Sequence, residues 1–199
     1  YMSINPRVEI PSAYATLMLG GIFLDTNNFE SKSTTSKTFE AAQILKTYGA
    51  ENDKIYDFFR EDINEMRLIS SCTSRFKSYN NDIIYCMTED SDIIDEATIS
   101  KISNQLNHIV GVKACFVIGR VSPNLIKVSG RSDGVSINVQ IICENIAGKE
   151  KGGGHFHMAA AKFEGTSVQV GETLLIEALK NHLDEATAYN KENKEGGDR

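Results

Sequence analysis

Apolar and polar positions along this chain follow two different rhythms. From Ala13 to Leu24 the sequence is almost continuously apolar and runs into Asp25-Thr26. Such a run suits a buried helix, with Ile22-Phe23-Leu24 as its continuation or a short strand, because periodicity alone does not separate the two. Asn27 to Thr35 is polar and predicts a loop. Ser36 then caps a helix with Phe39, Ala42 and Leu45 on one face and Gly49 as its stop. Residues 51–76 read as further helix, and the polar patch Lys77-Ser78-Tyr79-Asn80-Asn81 marks the expected domain junction.

From Asp82 onward the pattern predicts alternating strands and helices. Ile83 to Met87 reads as a strand, and Ser91 or Asp92 caps a helix carrying Ile99, Ile102, Leu106 and Ile109, with Gly111 as its stop. Ala114–Arg120 and Leu125–Gly130 read as strands joined by the turn Val121-Ser122-Pro123-Asn124. Val139, Ile142, Cys143 and Ile146 mark one face of another helix. A glycine turn ending in His155, a short helix from His157 to Phe163 and a strand over 166–170 are expected next. A last helix carries Leu175, Ala178, Leu179 and Leu183, and residues 191–199 read as a frayed polar tail.

The segment Gly152-Gly153-Gly154-His155 is the most informative on chemistry. Three glycines let backbone N–H groups approach a ligand closely, and a glycine turn feeding a helix N-terminus is a ready anion site. His155 adds a side chain able to donate to a phosphate oxygen or contact a base. A flexible loop or helix cap explains the glycines alone; the histidine at the junction shifts the reading toward phosphate or nucleotide.

Arg131 closes a strand, where its guanidinium fork suits phosphate, and Asn138 sits early in the next helix. Ser132 serves equally as a helix cap, and Asp133-Gly134 as a turn. Asp25 follows a buried element directly, which fits either a cap or one ligand of a metal. One carboxylate does not bind a divalent ion tightly, so that role requires partners. His108 and His182 read as structural, and His157 either lines the site or faces solvent. No Ser-His-Asp order, Walker motif or zinc spacing is present.

Composition narrows the partners. A net charge of −6 argues against non-specific binding of duplex nucleic acid but leaves room for a small anion at a local site. The four cysteines are widely spaced, mostly within apolar runs, and read as buried free thiols of a reducing compartment. No stretch has the length of a membrane span, and Tyr1 in place of Met suggests a processed or excised fragment.

Several segments together resemble the DHH phosphoesterase superfamily with its DHH-associated domain, and within it the cyclic-di-AMP phosphodiesterases of the GdpP type. They are Val8-Glu9-Ile10-Pro11, Ala15 through Thr26 with Phe29, Thr38-Phe39-Glu40-Ala41-Ala42 with Gly49-Ala50, Ala114 through Gly119, Ser129 through Ser132, Asn138-Val139-Gln140, and the Gly152–His155 segment. The resemblance implies an α/β fold: the helical tail of a DHH catalytic domain over 1–76, then a small α/β DHH-associated domain with a mixed sheet over 82–190. It implies two Mn²⁺ ions in the complete enzyme, activating water for attack on a phosphodiester, with Asp25 matching the last metal-binding aspartate. Arg131, Ser132, Asn138, Gly152, Gly153, Gly154 and His155 would grip a cyclic dinucleotide.

The family's His-x-x-x-Asp-x-Asp segment and Asp-His-His signature do not occur, and Lys149-Glu150-Lys151 intervene before the glycine run. The expectation is therefore a C-terminal fragment, inactive alone, binding manganese only weakly and needing the missing N-terminal part of the DHH domain. The parent is expected to be membrane-anchored with this region cytoplasmic, and a homodimer stays open. Rival readings are a relative acting on short oligonucleotides and a non-catalytic nucleotide-binding module.

Overall fold

The computed structural model describes residues 9–31, 33–60, 62–165 and 167–195, with side chains described as far as residue 184. The chain divides into two compact units, one ending at Asp62 and the other beginning at Ile63.

The first unit holds three helices, α1 (Ser12–Asp25), α2 (Ser36–Thr47) and α3 (Asn52–Phe58). They close over Ala15, Leu19, Leu45, Ala50 and Ile55. Thr16 ties this core together: its hydroxyl donates to Ser12 O at 2.7 Å and accepts from the Glu51 N–H at 3.0 Å, fixing the entry to α3 on α1. The apolar run from Ala13 to Leu24 is thus one helix, with no strand at Ile22. The N-cap of α2 is Thr35, whose backbone N–H donates to Thr38 Oγ1 at 3.1 Å, one residue earlier than the pattern suggested.

The second unit is a six-stranded mixed sheet with helices on both faces. Its elements are α4 (Ile63–Thr73), β1 (Lys77–Ser78), β2 (Ile83–Met87), α5 (Glu96–Asn107), β3 (Ala114–Ser122), β4 (Leu125–Ser132), α6 (Val139–Ala147), β5 (Gly152–His155), β6 (Met158–Glu164) and α7 (Val168–Glu195). The strand order is β1-β2-β3-β4-β6-β5. Only β2 and β3 run parallel, as expected where a helix, α5, makes the crossover; the other pairs are antiparallel.

Side chains alternate across the sheet, so each strand feeds two cores. Phe116, Ile118, Ile126, Val128 and Ala161 face α6 and α7 with Ile142, Leu175 and Leu179. Ile84, Cys86, Cys115 and Val117 face α4 and α5 with Ile69, Cys72, Ile99 and Ile102. This second core corrects the expected junction at 77–81. Ile69 and Cys72 bury α4 against the sheet, so the structural division precedes α4. The break at Asp62 also splits the single helix read over 51–76 into α3 and α4.

Five other expectations differ from the structure. Asp95 caps α5, accepting from the Thr98 N–H at 2.9 Å, in place of Ser91 or Asp92. The glycine segment is strand β5, not a turn, and Met158–Glu164 is a strand in place of the expected short helix. Ala159 and Ala161 face the core, packed with α6. A Cβ on Gly152 would lie 2.1 Å from Cys143 O of α6. Finally, the strand expected over 166–170 is the start of α7, whose Val168 N–H is held by Asp90 Oδ1 at 2.7 Å; Thr166 lies outside the described residues. The helix continues to Glu195, so residues 191–195 of the expected frayed tail are helical, and 196–199 lie outside the described residues.

Two measurements check this packing. Gly152→Ala is expected to lower unfolding free energy by about 1–3 kcal/mol through overpacking against α6, read from urea denaturation. Gly153→Ala, at an open position, should be neutral or stabilising by about 0.5 kcal/mol through the unfolded chain. A second test concerns Asp95, whose carboxyl is held below its ordinary value by the Thr98 hydroxyl and then the Thr98 N–H. The unfolded chain then binds more protons, so this contribution is complete above the ordinary value of 3.8 and lost as pH falls through the lower folded value. Asp95→Ala should cost about 1 kcal/mol at neutral pH, and that gap should shrink below pH of about 4.

Candidate functional site

The outer half of the sheet is open on its α5 side. Cross-strand pairing sets Arg131 opposite Met158 and Met158 opposite His155; Ser129, Ala160 and Gly153 form the next row. Residues directly opposite on neighbouring strands share a face, so these six lie together. Gly153 and Ala160 make a floor without bulk, and a Cβ on Gly153 would meet nothing within 4 Å. The third row pairs Lys127 with Lys162.

Arg131 dominates one end of this face. Its Nε donates to Asn104 Oδ1 on α5 at 2.8 Å, and Nη1 donates to Gly130 O at 2.9 Å and Ser129 Oγ at 3.2 Å. Ser129 Oγ is itself fixed by the buried Ser103 hydroxyl at 3.0 Å. Nη2 has no protein partner among the described residues. Burial pulls the Arg131 pKa below the ordinary guanidinium value. A cation that is half desolvated, locked by three neutral acceptors and still carrying free donors is suited to an anionic oxygen.

At the other end two lysines share one carboxylate. Lys127, only 7% exposed, donates to Glu96 O at 3.1 Å and lies 3.3 Å from Glu96 Oε2. Lys162 reaches Glu96 Oε1 at 2.6 Å, and its hydrogen bond, followed by the Lys127 charge, holds the Glu96 carboxyl below the usual range. Both lysines are thus engaged with Glu96, whereas Arg131 is held by neutral acceptors alone.

The β5–β6 hairpin turns through Phe156 and His157, and its carbonyls are used structurally. Phe156 O accepts from the Val139 N–H at 3.0 Å, and His157 O accepts from the Ser132 N–H at 3.0 Å. Asn138 Oδ1 caps α6, accepting from the Gln140 N–H at 3.1 Å and more weakly from Ile141 at 3.4 Å. The first donors of α6 are thus taken, and because Met158–Glu164 is a strand, the helix N-terminus anticipated directly after the glycine segment is not there. The glycine donors come from a sheet edge. Lys162 N donates to Lys151 O at 2.9 Å, and by the antiparallel alternation Gly154 presents its N–H and C=O away from β6. Gly154 has φ +142°, a region closed to most side chains.

The sequence candidates therefore separate by role. Arg131, Gly153, Gly154 and His155 gather on the open face and its edge. Gly152 is buried against α6, Ser132 is buried with its hydroxyl 3.5 Å from Phe156 O, and Asn138 is a helix cap. The His155 and His157 rings lie nearly parallel with centroids 6.4 Å apart. Ser129, Met158, Ala160 and Asn104 were not singled out from the sequence as site residues. An alternating reading of Met158-Ala159-Ala160-Ala161-Lys162 would have found two of them, but the alanines favoured a helix.

Asp25 belongs to the first unit. It is exposed at the end of α1 and lines a cavity of about 470 Å³ with Met18, Gly21, Thr26, Ser33 and Thr38. Three residues in succession, Asn27, Asn28 and Phe29, hold positive φ, with Phe29 N–H donating to Thr26 Oγ1 at 3.0 Å. Among the described residues no group of three or more His, Cys, Asp or Glu side chains is placed to hold a metal ion. Asp25 with neighbouring hydroxyls does not by itself fit a two-manganese centre.

A mixed sheet with a glycine-strand hairpin packed on one helix defines the second unit as a small α/β domain. The chain belongs to the DHHA1 domain family, whose model matches residues 80–192. It is 32% identical over 171 residues to the cyclic-di-AMP phosphodiesterase PdeA of Listeria monocytogenes, covering 86% of this chain and 25% of that protein. It is 30% identical over 178 residues to the cyclic-di-AMP phosphodiesterase GdpP of Geobacillus thermodenitrificans, covering 89% and 26%. The chain thus spans about a quarter of the length of these relatives. An exopolyphosphatase-related protein from Bacteroides fragilis shares the fold, with a TM-score of 0.62 at 20% identity over 84% of this chain and 51% of that one. Among the described residues no helix is long and apolar enough to cross a membrane.

The division of roles is testable without a ligand. Asn138→Ala should destabilise the fold by about 1 kcal/mol as a lost cap, whereas His155→Ala, at an exposed turn-proximal position, should stay within about 0.5 kcal/mol of the parent. Urea unfolding of both variants reads the contrast.

Proposed function

We propose that this chain supplies the substrate-gripping part of a phosphodiesterase that opens cyclic-di-AMP to the linear dinucleotide. The observation that carries this reading is the locked Arg131 guanidinium with its free Nη2, set beside the bulk-free floor of Gly153 and Ala160. Arg131 would hold a phosphodiester oxygen. His155 would donate to phosphate or lie against a base, and the outward Gly154 N–H would add a neutral donor. Met158, 43% exposed between Arg131 and His155, offers a polarisable surface to a nucleobase. The similarity to cyclic-di-AMP phosphodiesterases supports this substrate over others.

Asp25 is proposed as one ligand of a manganese centre whose remaining ligands, including an Asp-His-His segment, lie outside this sequence. The ions would supply the hydroxide and offset charge on the phosphorane-like transition state. Membrane anchoring of the whole protein and cytoplasmic placement of this part belong to the same proposal.

Calorimetry with cyclic-di-AMP, the linear dinucleotide and AMP tests the reading. The cyclic form should bind, and Arg131→Ala should weaken it by roughly 1.5–3 kcal/mol, the value of a charge-assisted contact. His155→Ala should weaken it as well. Unchanged binding in both folded variants would remove the assignment. With Mn²⁺ added, this chain should show no turnover; sustained cleavage of cyclic-di-AMP would overturn the division of labour. A complete parent protein that binds the cyclic form but never cleaves it would favour a sensing module.

A further inference from the structure

Away from the open face, in the core between the sheet and α4, two thiols meet. Cys72 on α4 and Cys86 on β2 are each 1% exposed, and their sulfurs lie 2.9 Å apart. A disulfide requires about 2.05 Å between sulfurs and side chains that point at each other. The sulfurs are already in contact, and reaching bonding distance needs a shift of less than about 1 Å. Cys72 lines a cavity of about 300 Å³ with Arg67, Ser71, Arg75 and Asp92. Cys86 lines another of about 150 Å³ with Arg75, Lys77 and Met87. Both thiols thus border a cavity although neither stands on the surface.

The two thiols are chemically unequal. The two thiols share one hydrogen bond in which either sulfur can donate; the contact with Cys86 draws Cys72 below the ordinary thiol value, with the Arg75 cation adding to the effect against burial. The same contact and burial push Cys86 up. Cys72 is thus the nucleophile and Cys86 the resolving thiol. The other cysteines have neither feature: burial pushes Cys115 and Cys143 up to about 12, and Cys115 Sγ donates to Ser103 O at 3.2 Å.

We propose that Cys72 and Cys86 form an oxidation site at which a hydroperoxide converts the two thiols into a disulfide joining α4 to β2. The Cys72 thiolate attacks the terminal peroxide oxygen; an S–O bond forms, the O–O bond breaks, and the departing alkoxide or hydroxide takes a proton. Cys86 then attacks the Cys72 sulfenyl sulfur as it loses its proton; the S–S bond forms, the S–O bond breaks, and water leaves. The sulfurs give up two electrons and the peroxide accepts two.

The test uses the 199-residue chain and hydrogen peroxide in small excess, followed by denaturation with an alkylating agent. The intact mass should fall by about 2 Da before alkylation, and two of the four cysteines should resist alkylation until a dithiol reductant is added. Trypsin separates the pair cleanly, since Cys72 falls in peptide 68–75 and Cys86 in peptide 78–101, each with a single cysteine. These two peptides should be linked, and the link should persist in a Cys115→Ser, Cys143→Ser double variant. In Cys86→Ser the reaction should stop at a sulfenic acid on Cys72 that a dimedone probe captures. Four freely alkylated cysteines, a link containing Cys115 or Cys143, or over-oxidation of Cys72 without linkage would each overturn the proposal. If Cys86→Ser does not fold, the wild-type and double-variant peptide maps decide it alone.

Discussion

The approach of α6 to β5 is the constraint on which the rest of the second unit depends. Cys143 O lies where a Cβ of residue 152 would be, so only glycine lets the edge strand settle there. Once settled, β5 returns through Phe156 and His157 into β6, and the carbonyls of that turn take the N–H groups of Val139 and Ser132. One close contact therefore seats the hairpin, caps α6 and pins the end of β4 in a single arrangement. The alanines of β6 follow from the same proximity. Larger side chains at 159 and 161 would lift the hairpin off the helix, costing the packing that holds Phe116, Val128 and Ile142 together.

Among the described residues of the second unit no helix lies over the opposite side of the same hairpin, and that asymmetry leaves the open face. There the absence of side chains serves access. Gly153 and Ala160 leave the strand surface bare beside Arg131, whose three bonds to Asn104, Ser129 and Gly130 fix the guanidinium before any ligand arrives. Much of the cost of dehydrating and ordering this cation is met by the fold, so an incoming anion gains more of the contact as binding energy. Lys127 and Lys162 lie on the same face, and their shared carboxylate, Glu96, makes them a brace between β4, β6 and α5.

Much of this was legible in the sequence. The strands at Ile83, Ala114 and Leu125 followed from short apolar runs bounded by polar or turn residues, and the helices carrying Ile99 and Ile142 from periodicity, because each helix has one clearly apolar face. The glycine segment was recognised as special, but its geometry was misread, since three glycines and three alanines carry no period to tell strand from helix. The signal lay in another element, in the need of α6 for space. The same holds for Ser132 and Asn138. Their residue types suit both a ligand and a cap, and only the positions of Phe156 O and the Gln140 N–H separate the two. Asn104 could not have been found from its own neighbourhood, because it becomes a site residue only when β4 and α5 pack.

The two cores divide the unit's properties between them. The α6–α7 side is built from aliphatic and aromatic bulk and sets the hairpin. The α4–α5 side holds Cys72, Cys86 and Cys115 along with the helix that orients Arg131. Cys115 lies directly opposite Arg131 in the β3–β4 register, and Ser103 of α5 fixes Ser129 while accepting from the Cys115 thiol through its carbonyl. A bond tying α4 to β2 would therefore restrain the layer against which α5 rests. Any change in the seat of α5 moves Asn104 and Ser103 together, and with them the direction of the Arg131 fork. Because bidentate and locked guanidinium contacts depend steeply on geometry, anion affinity on the open face is the property most exposed to events in this core.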